Sequence, residues 1–214
     1  FVTRSPPLTL PWYSYSNQVT TKIGQFLSPS LPPTRVEGQL FLGNREDAQD
    51  QARLRTLGIT HILNTATNLP NYFIGSKHFT YLKLPLKDHP SEMIERYFIT
   101  ASDWIDRAVT QGKKVFIHCI AGGSRSVTIM LAYLMRFRGL RLREAWDVIQ
   151  LRRPWIGPNE GFRLQLAEFE LELFAESSVA GANFHGKRKW WSFYNWNVRA
   201  SQVQRYRGRP TPCC

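Results

Sequence analysis

Between Arg35 and Phe174 short runs of β-branched and aromatic residues alternate with longer runs of helical period, and this alternation limits the chain to an α/β architecture. Gln39 to Leu42 reads as a strand closed by Gly43-Asn44, and Glu46 to Leu57 as a polar-rich helix ended by Gly58. Ile59 to Leu63 and Phe79 to Leu86 fit strands of a covered sheet, joined by a loop from Asn64 to Lys77. From Glu92 to Val109 the residues Met93, Ile94, Tyr97, Phe98, Ala101, Trp104, Ile105 and Ala108 form one apolar stripe, which Gln111-Gly112 stops. Val115-Phe-Ile117 has the continuous apolar character of a central strand. Arg125 to Phe137 is helical and apolar nearly all round, so it belongs inside. Helices over Leu142 to Leu151 and Gly161 to Phe174 complete the body, broken by Arg152-Arg153-Pro154 and Gly157-Pro158-Asn159. The expected domain spans residues 35–175: a central, mostly parallel sheet flanked by helices.

The two ends read differently. Residues 1–34 carry six of the thirteen prolines among many Ser and Thr, with no sustained period, as expected of a flexible arm. Residues 176–214 hold seven basic residues and one acidic, so +6 of the formal net charge of +12 lies in the last 39 residues. The basic character belongs to this appendage, a tail expected to be flexible, more than to the fold. The longest nearly unbroken apolar stretch, Val127 to Met135, has nine residues against the roughly twenty of a membrane span. Three cysteines, Cys119, Cys213 and Cys214, cannot frame a disulfide scaffold, and no basic segment followed by an apolar one stands at the start of the chain. Both features lead us to expect a cytoplasmic location, with Lys187-Arg188-Lys189 as a hint of nuclear import. The histidines share no ligand spacing with one another or with the cysteines, so no metal and no cofactor is expected.

Chemistry concentrates between Val115 and Ser126, where an apolar strand ends at His118-Cys119, a loop Ile120-Ala121-Gly122-Gly123-Ser124 follows, and Arg125-Ser126 opens a helix. Small residues let backbone N–H groups converge on one point, and the helix N-terminus adds partial positive charge there. A cysteine at the entrance of such an anion cradle feels the amides, the helix end and the Arg125 guanidinium, all of which favour thiolate. Arg125 can offer a two-pronged donor to a phosphate whose phosphorus lies in line with the sulfur. A lone cysteine in an apolar strand is ordinarily an inert small hydrophobe. Its place at the strand end, with two glycines and an arginine six residues on, favours a nucleophile aimed at a phosphate ester.

His118-Cys-Ile-Ala-Gly-Gly-Ser-Arg-Ser126 resembles the HC-x5-R-S/T loop of cysteine-based protein phosphatases, and the small dual-specificity branch in particular. Ala132-Tyr-Leu-Met135 and Arg153-Pro-Trp-Ile-Gly-Pro-Asn-Glu-Gly-Phe162 are similar to two further elements of that branch, so the resemblance covers residues 35–174. It implies that Cys119 forms a phosphocysteine, that Arg125 binds phosphoryl oxygens, that Ser126 donates to the sulfur, and that His118 tunes the thiolate from behind the loop. The phosphate-binding loop would run from His118 through Ile120, Ala121, Gly122, Gly123 and Ser124. Gly123 departs from the larger residue usual in relatives, and a looser loop is expected there. Asp88, 31 residues before Cys119, occupies the kind of place the family uses for its general acid. The competing role is a cap on a helix starting near Ser91 or Glu92; Glu92 and Glu95 fall inside that helix and are poorer candidates for the acid. Asn159 in relatives braces the loop, and Trp104, Trp146 and Trp155 are read as packing residues.

No Lys or Arg stands between Cys119 and Arg125, which favours phosphoprotein substrates with one phosphate per site over phosphoinositides. The 34 residues before the body are too few for the kinase-docking domain of the larger relatives, so an atypical dual-specificity phosphatase is expected, acting on phosphotyrosine and phosphoserine/threonine. The tail, interleaving basic and aromatic residues up to Cys213-Cys214, suits an anionic membrane surface or RNA, with lipidation of the terminal cysteines as one anchor and a solvated tail as the plainer reading. Two other functions fit parts of the sequence: a phosphoprotein-binding module with little turnover, and an RNA-directed phosphatase. A rhodanese-like or arsenate-reductase-like site fits the loop alone.

Overall fold

The computed structural model describes residues 33–179. Residues 1–32 and 180–214, with the expectations of flexibility, lipidation, membrane or RNA contact and nuclear import attached to them, lie outside the described residues.

Five strands form one sheet in the order β1-β2-β5-β3-β4: β1 Thr34–Glu37, β2 Leu40–Gly43, β3 Ile59–Asn64, β4 Thr80–Lys83 and β5 Lys114–His118. β5 pairs in parallel with β2 and β3, and β3 with β4, while β1 folds back antiparallel on β2. The expected mostly parallel sheet is present, with Val115 to Ile117 in its central strand. Period-two alternation sorts the side chains between two layers. Val115, Ile117, Leu40 and Leu42 face the larger core beneath helices α3 (Phe98–Thr110), α4 (Arg125–Arg138), α5 (Leu142–Arg152) and α6 (Glu160–Phe174). Phe116, Phe41 and Ile62 face a smaller core with Leu54 and Phe79, covered by α1 (Arg45–Gln49) and α2 (Gln51–Thr56). Helix α4 is buried without interruption from Arg125 to Met135, and each of its large apolar side chains contributes about 1.5–3 kcal/mol on leaving water.

Several boundaries differ from the sequence reading for local reasons. The helix expected over Glu46 to Leu57 is two, because Asp50 closes α1 and then caps α2 by accepting from Arg53 N–H at 2.9 Å. The strand expected over Phe79 to Leu86 is only Thr80–Lys83, an edge strand whose neighbour β3 ends at Asn64. The helix expected from Glu92 begins with a 3₁₀ turn, Ile94–Tyr97, anchored by buried Ile94 and by Glu95 N–H donating to Gln165 at 3.0 Å. The body also extends beyond 35–175 at both ends. Thr34 starts β1 and Pro33 is buried; Val179 joins the core, while buried Glu170 accepts from Ser177 and Ser178.

Candidate active site

Strand β5 carries His118 to the carboxyl end of the sheet, and the chain turns through Cys119 to Ser124 before α4 begins at Arg125. Gly122 makes the turn with φ of +67°, and a Cβ there would run into the Arg153 guanidinium and the Gly43 carbonyl. Donors outside the loop hold its carbonyls. His118 C=O accepts from Thr65 N–H and Oγ1–H at 2.9 and 2.8 Å, Ile120 C=O from Arg45 N–H at 2.9 Å, and Gly123 C=O from Gly157 N–H at 2.8 Å. Gly122 C=O accepts from Arg153 Nε at 2.7 Å and Ala121 C=O from its terminal nitrogen at 3.4 Å, while Thr128 N–H closes on Ser124 C=O at 2.9 Å. With the carbonyls tied outward, the N–H groups of the same peptide planes turn to the concave side, where anions bind.

Cys119 is a buried free thiol, and its Sγ accepts from Gly122 N–H at 3.2 Å and Ser126 Oγ–H at 3.3 Å. Arg125 is buried; one terminal nitrogen donates to Leu86 C=O at 3.3 Å, and Nε lies 3.4 Å from Asp88 Oδ2 without a hydrogen bond of its own. Asp88, partly exposed, accepts through Oδ1 from Ser124 Oγ–H at 2.7 Å and Asn159 Nδ2 at 2.9 Å. It caps no helix, since α3 takes Tyr97 as its N-cap. Its position over the loop is therefore set by contacts with the loop and α6. Glu92 accepts from Lys87 N–H at 3.1 Å and pairs with Arg96 at 3.0 Å, which closes the Asp88 loop from outside.

Asn159 caps α6 by accepting from Phe162 N–H at 3.0 Å and reaches the loop only through Ser124 Oγ at 3.4 Å; its side-chain amide holds Asp88. His118 is buried and stacked on Phe116, with centroids 5.4 Å apart, and its Nδ1 has no hydrogen-bond partner. Burial pulls its pKa down to about 4 against an opposing hydrogen bond to the Cys119 backbone, so the ring behind the loop is neutral at neutral pH.

Two supporting residues escaped the sequence reading. Arg153 stood in a quoted motif without a role, yet it is buried, holds two loop carbonyls and reaches Thr34 Oγ1 at 3.0 Å. Burial pushes its pKa down, with buried Asp47 and then Cys119 opposing. Lys83 donates to the carbonyls of Ala66 and Leu69, which line Cys119, and burial followed by the charge of Arg125 lowers its pKa. No sequence signal marked Lys83, because its partners come from a loop whose path depends on the fold. Trp146 is core and Trp104 half-buried as expected, whereas Trp155 is exposed.

Residues 40–172 match the family model described as dual specificity phosphatase, catalytic domain. The chain is 40% identical over 144 residues to human dual specificity protein phosphatase 9, covering 67% of this chain and 38% of that protein. It is 38% identical over 185 residues to dual specificity protein phosphatase 1-A of Xenopus laevis, covering 83% and 50%. It thus spans half or less of the length of these curated relatives. Among solved structures, human DUSP28 superposes with a TM-score of 0.64 at 31% identity, covering 67% of this chain and 95% of that one.

Proposed function

The chain belongs to the dual specificity phosphatase family, within the cysteine-based protein tyrosine phosphatases, and from that premise we propose that it hydrolyses phosphate monoesters of tyrosine and of serine or threonine in proteins. The observation that carries this reading is the meeting of Cys119 Sγ, Gly122 N–H and Ser126 Oγ–H beside an Arg125 Nε that has no hydrogen bond of its own.

The monoester enters with its phosphoryl oxygens on the loop amides and on Arg125. The Cys119 thiolate attacks phosphorus as the ester P–O bond breaks, and Asp88 gives its proton to the leaving oxygen, releasing the alcohol or phenol. In the second step Asp88, now a carboxylate, takes a proton from water as that water attacks phosphorus. The P–S bond breaks, Ser126 Oγ–H stabilises the departing thiolate, and inorganic phosphate leaves. Arg125 Nε passes from Asp88 to the phosphoryl group, so the guanidinium that pairs with Asp88 also binds substrate. No Lys or Arg stands between Cys119 and Arg125 to meet a further phosphate, which supports one phosphate per substrate site.

Hydrolysis of p-nitrophenyl phosphate against pH tests the reading. Cys119→Ser abolishes turnover, and Asp88→Asn lowers kcat about 100-fold or more and flattens the basic limb of the profile. A wild-type chain that binds tungstate but shows no turnover would be a phosphate-binding module and no enzyme.

A further inference from the structure

The segment joining α5 to α6 runs along the catalytic loop like a strap. Arg153 lies under Gly122, Gly157 N–H is bonded to Gly123 C=O, and Asn159 reaches Ser124 and Asp88. Between these anchors Trp155 stands beside Gly123, its carbonyl oxygen 3.5 Å from where a Gly123 Cβ would be. Gly123 has no side chain, so the loop contributes no apolar wall at that point. Ile156 turns into the core, and Trp155 is left as the large apolar side chain of the strap that remains 48% exposed.

Its ring is held in place. The Arg153 guanidinium lies 4.8 Å from the indole centroid while donating to Gly122 and Ala121. The ring thus covers the guanidinium that ties the loop, and the backbone of the same residue borders Gly123. A large rigid ring fixed on one side and open on the other is suited to receive a planar group at little entropic cost.

We propose that Trp155 is the specificity-determining residue of this site, forming the side wall against which the aromatic ring of a phosphotyrosine packs. The wall favours aryl over alkyl phosphate esters, because a threonine or serine ester presents no ring. The inference deepens the phosphatase reading and rests on it for its kinetic arm; its binding arm requires no turnover.

The full chain is compared with Trp155→Ala, Trp155→Leu and Trp155→Phe on a phosphotyrosine and a phosphothreonine peptide of otherwise identical sequence. Trp155→Ala should lower kcat/KM on the phosphotyrosine peptide about 3- to 10-fold, mainly through KM, the range an aromatic pair contributes. The phosphothreonine peptide should change less than about twofold, with Phe restoring most of the loss and Leu part of it. In parallel, calorimetry on Cys119→Ser, with and without Trp155→Ala, compares phenylphosphonate with methylphosphonate; the tryptophan should account for the phenyl preference. Equal losses on both peptides would make Trp155 a brace of the loop, and no loss on either would remove it from the site; each overturns the proposal. Should the wild type hydrolyse neither peptide while the phenyl preference still depends on Trp155, the phosphatase reading falls and the ring contact stands. Absence of that preference would overturn the contact itself.

Discussion

Replacing Arg153 by methionine keeps an unbranched apolar stem and removes the guanidinium that ties the loop from outside. Three acceptors lose their donor: the Gly122 carbonyl at 2.7 Å, the Ala121 carbonyl at 3.4 Å and Thr34 Oγ1 at 3.0 Å. Gly122 is buried, so its carbonyl is the costly one, and a hydrogen bond from a charged donor contributes about 1.5–3 kcal/mol. The 3.4 Å contact is weak and Thr34 can reach water. Relief from burying a charge offsets part of the loss, whereas buried Asp47, whose pKa burial raises, loses one of the two cations that, with the Asn44 backbone, oppose that shift. The net expectation is about 2–4 kcal/mol of destabilisation by urea unfolding. Freed from Arg153, the Gly122 peptide plane can rotate and take an amide away from the oxyanion. At a temperature where the variant is folded, kcat/KM for p-nitrophenyl phosphate should therefore fall about 100-fold. Arg153→Lys should fall between wild type and Met, since an ammonium cannot fork across two carbonyls. Stability within about 0.5 kcal/mol of wild type would refute the energetic argument. A drop in stability with kcat/KM unchanged would refute the claim that Arg153 aims the amides.

The two loop glycines should respond oppositely to alanine: Gly122→Ala meets Arg153 and Gly43 at a positive φ and should lose about 3 kcal/mol or more. Gly123→Ala, whose Cβ would meet only Trp155 O at 3.5 Å, should stay within about 1 kcal/mol in the same unfolding measurement. Ser126→Ala removes the hydroxyl 3.3 Å from Sγ, so dephosphorylation should slow at least about tenfold and a burst of p-nitrophenol, with trapped phosphoenzyme seen by mass spectrometry, should appear. For His118 the folded-state pKa of about 4 lies below the ordinary 6.5, so the unfolded chain binds more protons between these values. This contribution to stability is complete above pH 6.5 and is lost as pH falls from there toward 4, amounting to about 2 kcal/mol by pH 5. The difference in unfolding free energy between pH 7 and pH 5 should shrink by about that amount in His118→Asn. An unchanged difference would mean that the buried imidazole is not the source.

Much of the catalytic loop was legible in the sequence, because one continuous segment writes it. An apolar strand, a cysteine at its end, glycines and an arginine opening a helix are local features, and local geometry turns them into a cradle. The central strand and the all-round burial of α4 were legible for a similar reason, since a covered strand and an inner helix must be apolar on every side. Other features required the tertiary structure. Asp50 divides a helix that periodicity alone draws as one, because a side chain that bonds to the backbone leaves no mark on a hydrophobic pattern. Asp88 could be read as an acid or as a helix cap, and its contacts with Ser124, 36 residues away, and Asn159, 71 away, which hold it over the loop, come only from the fold. Arg153 and Lys83 act on carbonyls that long stretches of chain bring to them, and Trp155 differs from Trp146 only in which side of α5 and its following strap meets water. Sequence alone thus determined the candidate cysteine, the loop around it and the architecture, whose signals reside in neighbouring residues or in periodicity. The fold decided which distant side chains hold that loop, because those roles depend on distances across the chain.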